Sequence, residues 1–202
     1  LTYGDRVTAG STLGPRIYST GPGVFSGEGI RSQKHASDVL RRYSDYYRTQ
    51  TIKMYMAGNR QQRQWIITAA REQELMPTTE GGLDFKYNLE MMIDGYPGQE
   101  HSLPITPLYK DVVEFVAHTG MTYTPTMLVA YGGPWAENYF YAKENAYHDE
   151  KLQRFTPYEE LAGKARRRGA GWFMDEEYNF PRLAEVVADI VNAGGKAGVG
   201  SH

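Results

Sequence analysis

The sequence predicts an α/β fold of parallel βα units, part of a (β/α)8 TIM-type barrel, and three observations carry that expectation. Short apolar runs alternate with helical patterns, as in consecutive βαβ units. The strand candidates recur at intervals of roughly 20–25 residues, which suits compact crossovers. The chain has 202 residues, fewer than the ~250 of a closed eight-fold barrel, so about six units without a closing return are expected.

The first strand is expected at Arg16-Ile17-Tyr18-Ser19, after Gly14-Pro15 and before the turn Gly21-Pro22-Gly23. A helix follows over 37–48, with Val39, Leu40, Tyr43 and Tyr47 on one face. Thr51 to Met56 reads as the second strand. The next helix, about Arg60 to Glu74, carries the apolar stripe Trp65, Ile66, Ala69 and Ala70. Leu75 to Thr79 is the third strand and runs into Glu80-Gly81-Gly82. A helix over 84–93 leads to a fourth strand, Gly98 to His101, and a helix over 109–118 to a fifth, Tyr123 to Val129.

The rhythm then breaks. Residues 131–177 are long, aromatic and charged, and are expected to form a helical, lid-like insertion on the substrate-facing end of the fold. Tyr131 and Trp135 are its candidate substrate contacts. A helix from Pro181 to Asn192 buries Leu183, Val186, Val187, Ile190 and Val191 and stops at Gly194-Gly195. Ala197 to Ser201 is the last strand. The whole is expected to be one domain, 1–202, cut at both ends.

Composition excludes several classes. Hydrophobic residues make up 41% and charged residues 23%, with a formal net charge of −2, so a packed core is expected and a nucleic-acid partner is not. The tight basic run Arg166-Arg167-Arg168 stands among acidic neighbours and reads as a solvated helix end. There is no cysteine, which removes disulfides and thiolate ligands. No apolar run approaches the ~20 residues of a membrane span, so no membrane partner is expected. The compartment is open between exported and cytoplasmic. Serine-hydrolase elbows and phosphate-loop endings are absent from the sequence.

The potential metal ligands fall at strand ends. Lys53 sits inside an apolar strand, Glu80 follows the next, and His101 and His202 end two others. In a parallel barrel these ends share one face, so the four could converge on a divalent ion, zinc above all. A lysine serves there only if its amine is carboxylated. Each has a plainer alternative: Lys53 could pair with Glu80 or Glu100, Glu100-His101 could be a hydrogen-bonded core pair, and His202 is terminal. His35, His118 and His148 are expected at the surface.

Five segments in order resemble the metal-dependent amidohydrolases, of imidazolonepropionase-like and prolidase-like type, and most of all the amidohydrolase domain that follows a TolB-like β-propeller. Residues 14–21 resemble the third-strand segment of that family, and Ile52-Lys53-Met54 its fourth-strand lysine. Residues 94–101 resemble the sixth-strand Glu-His motif, Tyr123-Thr124-Pro125-Thr126-Met127 the seventh strand, and residues 197–202 the eighth. The resemblance implies barrel strands three to eight, with the aromatic insertion after strand seven. It implies hydrolysis of C–N bonds in amides, cyclic amides or peptide-like small molecules with one or two metals. Lys53 would be the bridging carbamate and His101 a metal or substrate ligand.

The departures are as definite. The first-strand His-x-His pair has no counterpart, Glu80 stands where the family has its fifth-strand histidine, and His202 where it has the eighth-strand aspartate that acts as ligand and base. A weakly active or inactive fragment is therefore expected, forming a homo-oligomer to cover its open edges. The alternative is a non-catalytic binding or assembly protein on a degenerate amidohydrolase scaffold.

Overall fold

The computed structural model describes residues 2–127, 144, 146–168 and 174–200. Its centre is a six-stranded sheet in which β1 (Val24–Phe25), β2 (Thr51–Tyr55), β3 (Met76–Glu80), β4 (Gly98–Glu100), β5 (Thr122–Thr124) and β6 (Lys196–Ala197) lie side by side in chain order. Every pairing is parallel, so the chain is an α/β protein, as the alternating pattern predicts.

The connecting helices form where local signals agree. α2 (Gln33–Arg41) starts at Ser32, whose hydroxyl accepts from His35 N–H, and runs into a π-helical turn, Arg42–Tyr47. α3 (Arg60–Glu72) opens with a reciprocal capping box between Asn59 and Gln62. α4 (Phe85–Asp94) is capped by Asp84 and stopped by Gly95 in the left-handed region. α5 (Lys110–His118) precedes β5, and a helix over Phe180–Asn192, with Pro181 in its first turn, precedes β6.

Register decides what each face carries, because side chains alternate along a strand. Val24, Met54, Thr79, Gln99, Tyr123 and Ala197 are successive partners across all strands and share one face. The first five are buried beneath the helices. One cluster joins Ile52 and Met54 to α2, α3 and Met91; a second joins Tyr123 to Met92, Val113, Val116, Val186 and Ile190. The opposite face carries Lys53, Tyr55, Thr78, Glu80, Glu100, Thr122 and Thr124, all partly exposed.

Three expectations need correction. The first strand is not Arg16 to Ser19: those residues are unpaired by any strand, with Ile17 38% and Tyr18 81% exposed, whereas Val24 is fully buried and pairs with Met54. The apolar pair that looked like a strand does not face the core, and the real strand is too short to show a period. The last strand among the described residues is Lys196–Ala197, so of the expected 197–201 only Ala197 is in it, the pairing ending at Tyr123↔Ala197, and Ser201 lies outside the described residues. A helix not expected, α1 (Thr2–Thr8), buries no residue, so it leaves no apolar stripe in the sequence.

Within the predicted insertion, the described residues form a 3-10 turn (Ala146–His148), α6 (Glu150–Phe155), α7 (Tyr158–Arg168) and a second 3-10 turn (Asp175–Glu177). The helix Phe180–Asn192 is thus α8. Tyr147 meets Tyr158 edge-on, ring centroids 6.2 Å apart, so these aromatics pack on one another. No helix among the described residues is long and apolar enough to cross a membrane.

Candidate functional site

Three of the four residues predicted to converge do so. Lys53 lies in the middle of β2, Glu80 closes β3 and His101 follows β4, and parallel pairing puts Lys53 and Glu80 on the polar face, Glu80 and His101 at its carboxyl edge and Lys53 one step below it. The Lys53 Nζ is 2.8 Å from Glu80 Oε2, and His101 Nε2 is 2.8 Å from Glu80 Oε1. Glu80 thus spans an ammonium and an imidazole with its two oxygens.

A second contact fixes the ring. His101 Nδ1 is 2.6 Å from Thr126 Oγ1. An ionised carboxylate only accepts, so Nε2 carries a hydrogen towards Glu80; in the neutral ring Nδ1 then accepts from the Thr126 hydroxyl. Thr126 itself is buried. It stands two residues beyond β5, and its partner is 25 positions away in sequence.

The backbone at this edge is strained. His101 has φ +73° and Met56, just past β2, has φ +43°. Non-glycine residues in the left-handed region cost roughly 1–3 kcal/mol and persist where their surroundings over-determine them. Here the two ring contacts of His101 and the bond from its N–H to the Thr124 carbonyl do so. Gly81 lets the strands close up behind Glu80: a Cβ there would come within 2.9 Å of the Glu100 carbonyl oxygen and 2.7 Å of Gln99 Nε2.

Glu100 completes the cluster and was not among the predicted ligands. It is the register partner of both Glu80 and Thr124, so its side chain shares their face. The two carboxyls are pulled apart. Burial favours the neutral form of Glu80, but hydrogen bonds from Lys53 and His101 outweigh it and hold the group below the usual carboxylate range. Glu100 is pushed up by burial, against the attraction of Lys53 and His101 and with repulsion from Glu80.

Lys53 therefore forms the ion pair that was its plainer reading, and the polar face holds it half in solvent, its side chain 39% exposed against 20% for Glu80. His202, Tyr131 and Trp135 lie outside the described residues. His118 and His148 are exposed and His35 sits on α2, apart from this edge. A cavity of about 810 Å³ lies elsewhere, at the start of β2, lined by Asp5, Tyr18, Asp45, Tyr46, Arg48 and Thr49 among others. It contains none of the predicted ligands.

The donor types suit zinc, but the number does not. A catalytic zinc takes about three protein ligands, whereas no group of three or more His, Asp or Glu among the described residues could hold a metal ion. Lys53 is an ammonium paired to Glu80 and repels a cation in that state.

No family model matches the chain, and no curated protein does. Among solved structures it is similar to the crystal structure of an uncharacterized protein, with a TM-score of 0.59 at 14% identity. The match covers 99% of this chain and 51% of that one. The chain thus spans about half the length of that structure, and the likeness is one of fold.

Proposed function

We propose that this chain supplies the later strands of a TIM-type barrel in a metal-dependent hydrolase of carbon–nitrogen bonds, of amidohydrolase type. The observation that carries the reading is the Lys53–Glu80–His101 cluster on the polar face of three adjacent parallel strands, with Glu80 and His101 at the carboxyl ends of theirs and Lys53 in the middle of β2. Parallel α/β sheets place their chemistry at that edge. Purely parallel sheets are also normally covered on both faces. Here helices cover one face, and the other is polar and partly exposed. A barrel interior that receives an amide or peptide-like small molecule accounts for that asymmetry.

In this reading His101 and Glu80 are ligands of a divalent ion, zinc foremost, one or two per site. Lys53 joins them as a carboxylated amine once released from Glu80, and His202, outside the described residues, is proposed as a further ligand and proton relay. Such an ion, when bound, polarises a carbonyl and lowers the pKa of a water. In this reading the chain's own residues do the rest: Glu80 orients the His101 ring and sets its tautomer, the Thr126 hydroxyl donates to Nδ1, and the polar face admits substrate. Turnover by this chain alone is proposed to be weak or absent, since Glu80 and His202 stand where the family it resembles has a histidine and an aspartate.

Metal analysis of the purified chain tests the reading, with Lys53→Ala and His101→Ala alongside. Loosely held zinc that falls further in both variants supports it. Zinc content indifferent to both variants refutes the assignment of the ligands.

The closed Lys53–Glu80–His101–Thr126 network favours a second reading, a non-catalytic binding or assembly protein on the same scaffold. It needs no metal, so a melting temperature unchanged by a chelator is its expected result. In both readings the open polar face and sheet edges make a homo-oligomer the expected state, and a clean monomer by light scattering counts against that.

A further inference from the structure

We infer that the cavity at the amino end of β2 binds a free α-amino acid with an apolar or aromatic side chain, held as its zwitterion. Its volume of about 810 Å³ falls within the roughly 300–1,000 Å³ of small-molecule sites. Thr51, the first residue of β2, lines it, whereas Glu80 closes β3 at the carboxyl edge of the sheet. The cavity therefore lies apart from the proposed hydrolase centre and stands or falls independently of it.

Three segments build the cavity. α1 brings Asp5, the extended stretch before β1 brings Tyr18, and the end of the π-helical turn brings Asp45, Tyr46, Tyr47 and Arg48. The walls are held by packing of their own. Tyr47 meets the buried Tyr43 edge-on, with ring centroids 5.4 Å apart. Gly21 lies against both rings, where a Cβ would stand 3.4 Å from Tyr43 and 3.5 Å from Tyr47. The buried Thr49 hydroxyl bonds the Ser19 carbonyl and accepts from the Thr51 N–H at 3.2 Å, which ties the extended stretch to the start of β2. α1 rests on the same stretch at Gly14, where a Cβ would come within 2.9 Å of Val7.

The lining carries charges of both signs that do not neutralise one another. Asp45 and Arg48 stand three positions apart, yet neither they nor Asp5 takes part in an ion pair among the described residues. A ligand with an ammonium and a carboxylate on one carbon answers both signs at once. The ammonium goes to the aspartates, and the carboxylate to the guanidinium, whose planar fork matches it with two parallel hydrogen bonds. The ligand's side chain is left to the tyrosines. Tyr18 and Tyr46 are 81% and 80% exposed, so their rings offer faces that the core leaves uncovered, for apolar contact and for the ammonium. A simple amine would leave Arg48 unanswered, and a simple acid would leave both aspartates so.

Amide chemical-shift titration of the full chain with L-phenylalanine, phenethylamine and 3-phenylpropionate tests this. L-Phenylalanine is expected to bind in the millimolar range, as so small a ligand does, and to move the amides of residues 45–51. It should bind about 3- to 5-fold more tightly than either single-charge analogue, the worth of one exposed ion pair. Asn tolerates the left-handed backbone that Arg48 adopts at φ +51°. Arg48→Asn should therefore keep the fold and bring L-phenylalanine down to the affinity of phenethylamine. The double variant Asp5→Asn, Asp45→Asn should bring it down to that of 3-phenylpropionate; all three positions are exposed. Tyr46→Ala should weaken L-phenylalanine by about 2- to 5-fold, the scale of an exposed ring–cation contact. Either analogue binding as tightly as L-phenylalanine overturns the zwitterion, as does an affinity indifferent to Arg48→Asn and to the double variant. Amides of residues 45–51 unmoved by L-phenylalanine up to its solubility overturn the site itself.

Discussion

Replacing Glu80 with Gln is expected to destabilise the protein by roughly 1–3 kcal/mol at neutral pH, the scale of hydrogen bonds to charged groups. One carboxylate bonds both Lys53 and His101. An amide retains one acceptor oxygen and turns a donor towards the other partner. Lys53 is 39% exposed along its side chain and can turn its ammonium towards water, which keeps the loss at the lower end of that range. The strained His101 backbone keeps its N–H bond to the Thr124 carbonyl and the ring its Thr126 contact, so the loss falls on the bonds to Glu80.

The pH dependence gives the sharper check. The folded Glu80 carboxyl is held below the ordinary value, so its contribution is fully present above the unfolded value, about 4.3. It is lost as pH falls through the folded one. The gap in stability between wild type and Glu80→Gln should therefore close in acid. Glu100 works the other way: its raised value means the folded state favours the proton, a penalty that grows as pH rises from the ordinary glutamate value to the folded one. Urea denaturation from pH 3 to pH 8 measures both. A gap constant across that span would mean that Glu80 does not act as an ionised partner. Lys53→Met in the Glu80→Gln background should recover part of the loss, because it removes the charge left unpaired.

How far the sequence revealed this site depends on what each residue interacts with. Lys53, Glu80 and His101 were legible because a charged or imidazole side chain at a strand end has a direction fixed by topology alone. Thr126 was not, because its role exists only through a contact 25 residues distant. Glu100 looked like half of a buried Glu-His pair. In the fold Gln99 takes the buried side of β4, and alternation turns Glu100 to the polar face. The elements follow the same rule. α3 and α4 carry caps and apolar stripes that agree with their packing, whereas β1 and β6 are two-residue strands with no period to read. Ile17 and Tyr18 imitate a strand that tertiary packing does not use.

The largest loss is expected at Tyr123, which ties the site's supporting loop to the core. Its ring is 1% exposed and packs with Val116, Met121, Val186 and Ile190. Tyr123→Ala is expected to cost about 3–5 kcal/mol, as other buried aromatic truncations do. At roughly 2–4 °C per kcal/mol for a chain of this size, the melting temperature falls by about 6–20 °C. The hydroxyl has a separate role. It accepts from the Leu103 backbone N–H at 2.8 Å, two residues past His101, and so holds the segment that leaves β4 against β5. Tyr123→Phe keeps the packing and leaves that buried N–H unpaired, for about 1–3 kcal/mol. Amide exchange at Leu103 separates the two effects: it should quicken in Tyr123→Phe while amides of α5 and α8 stay protected. If the Phe variant instead exchanges as the wild type does, the loop after His101 is held by its own packing. The position of the imidazole at Glu80 then rests on Thr126 and on the bond from the His101 N–H to the Thr124 carbonyl, without help from the Tyr123 hydroxyl.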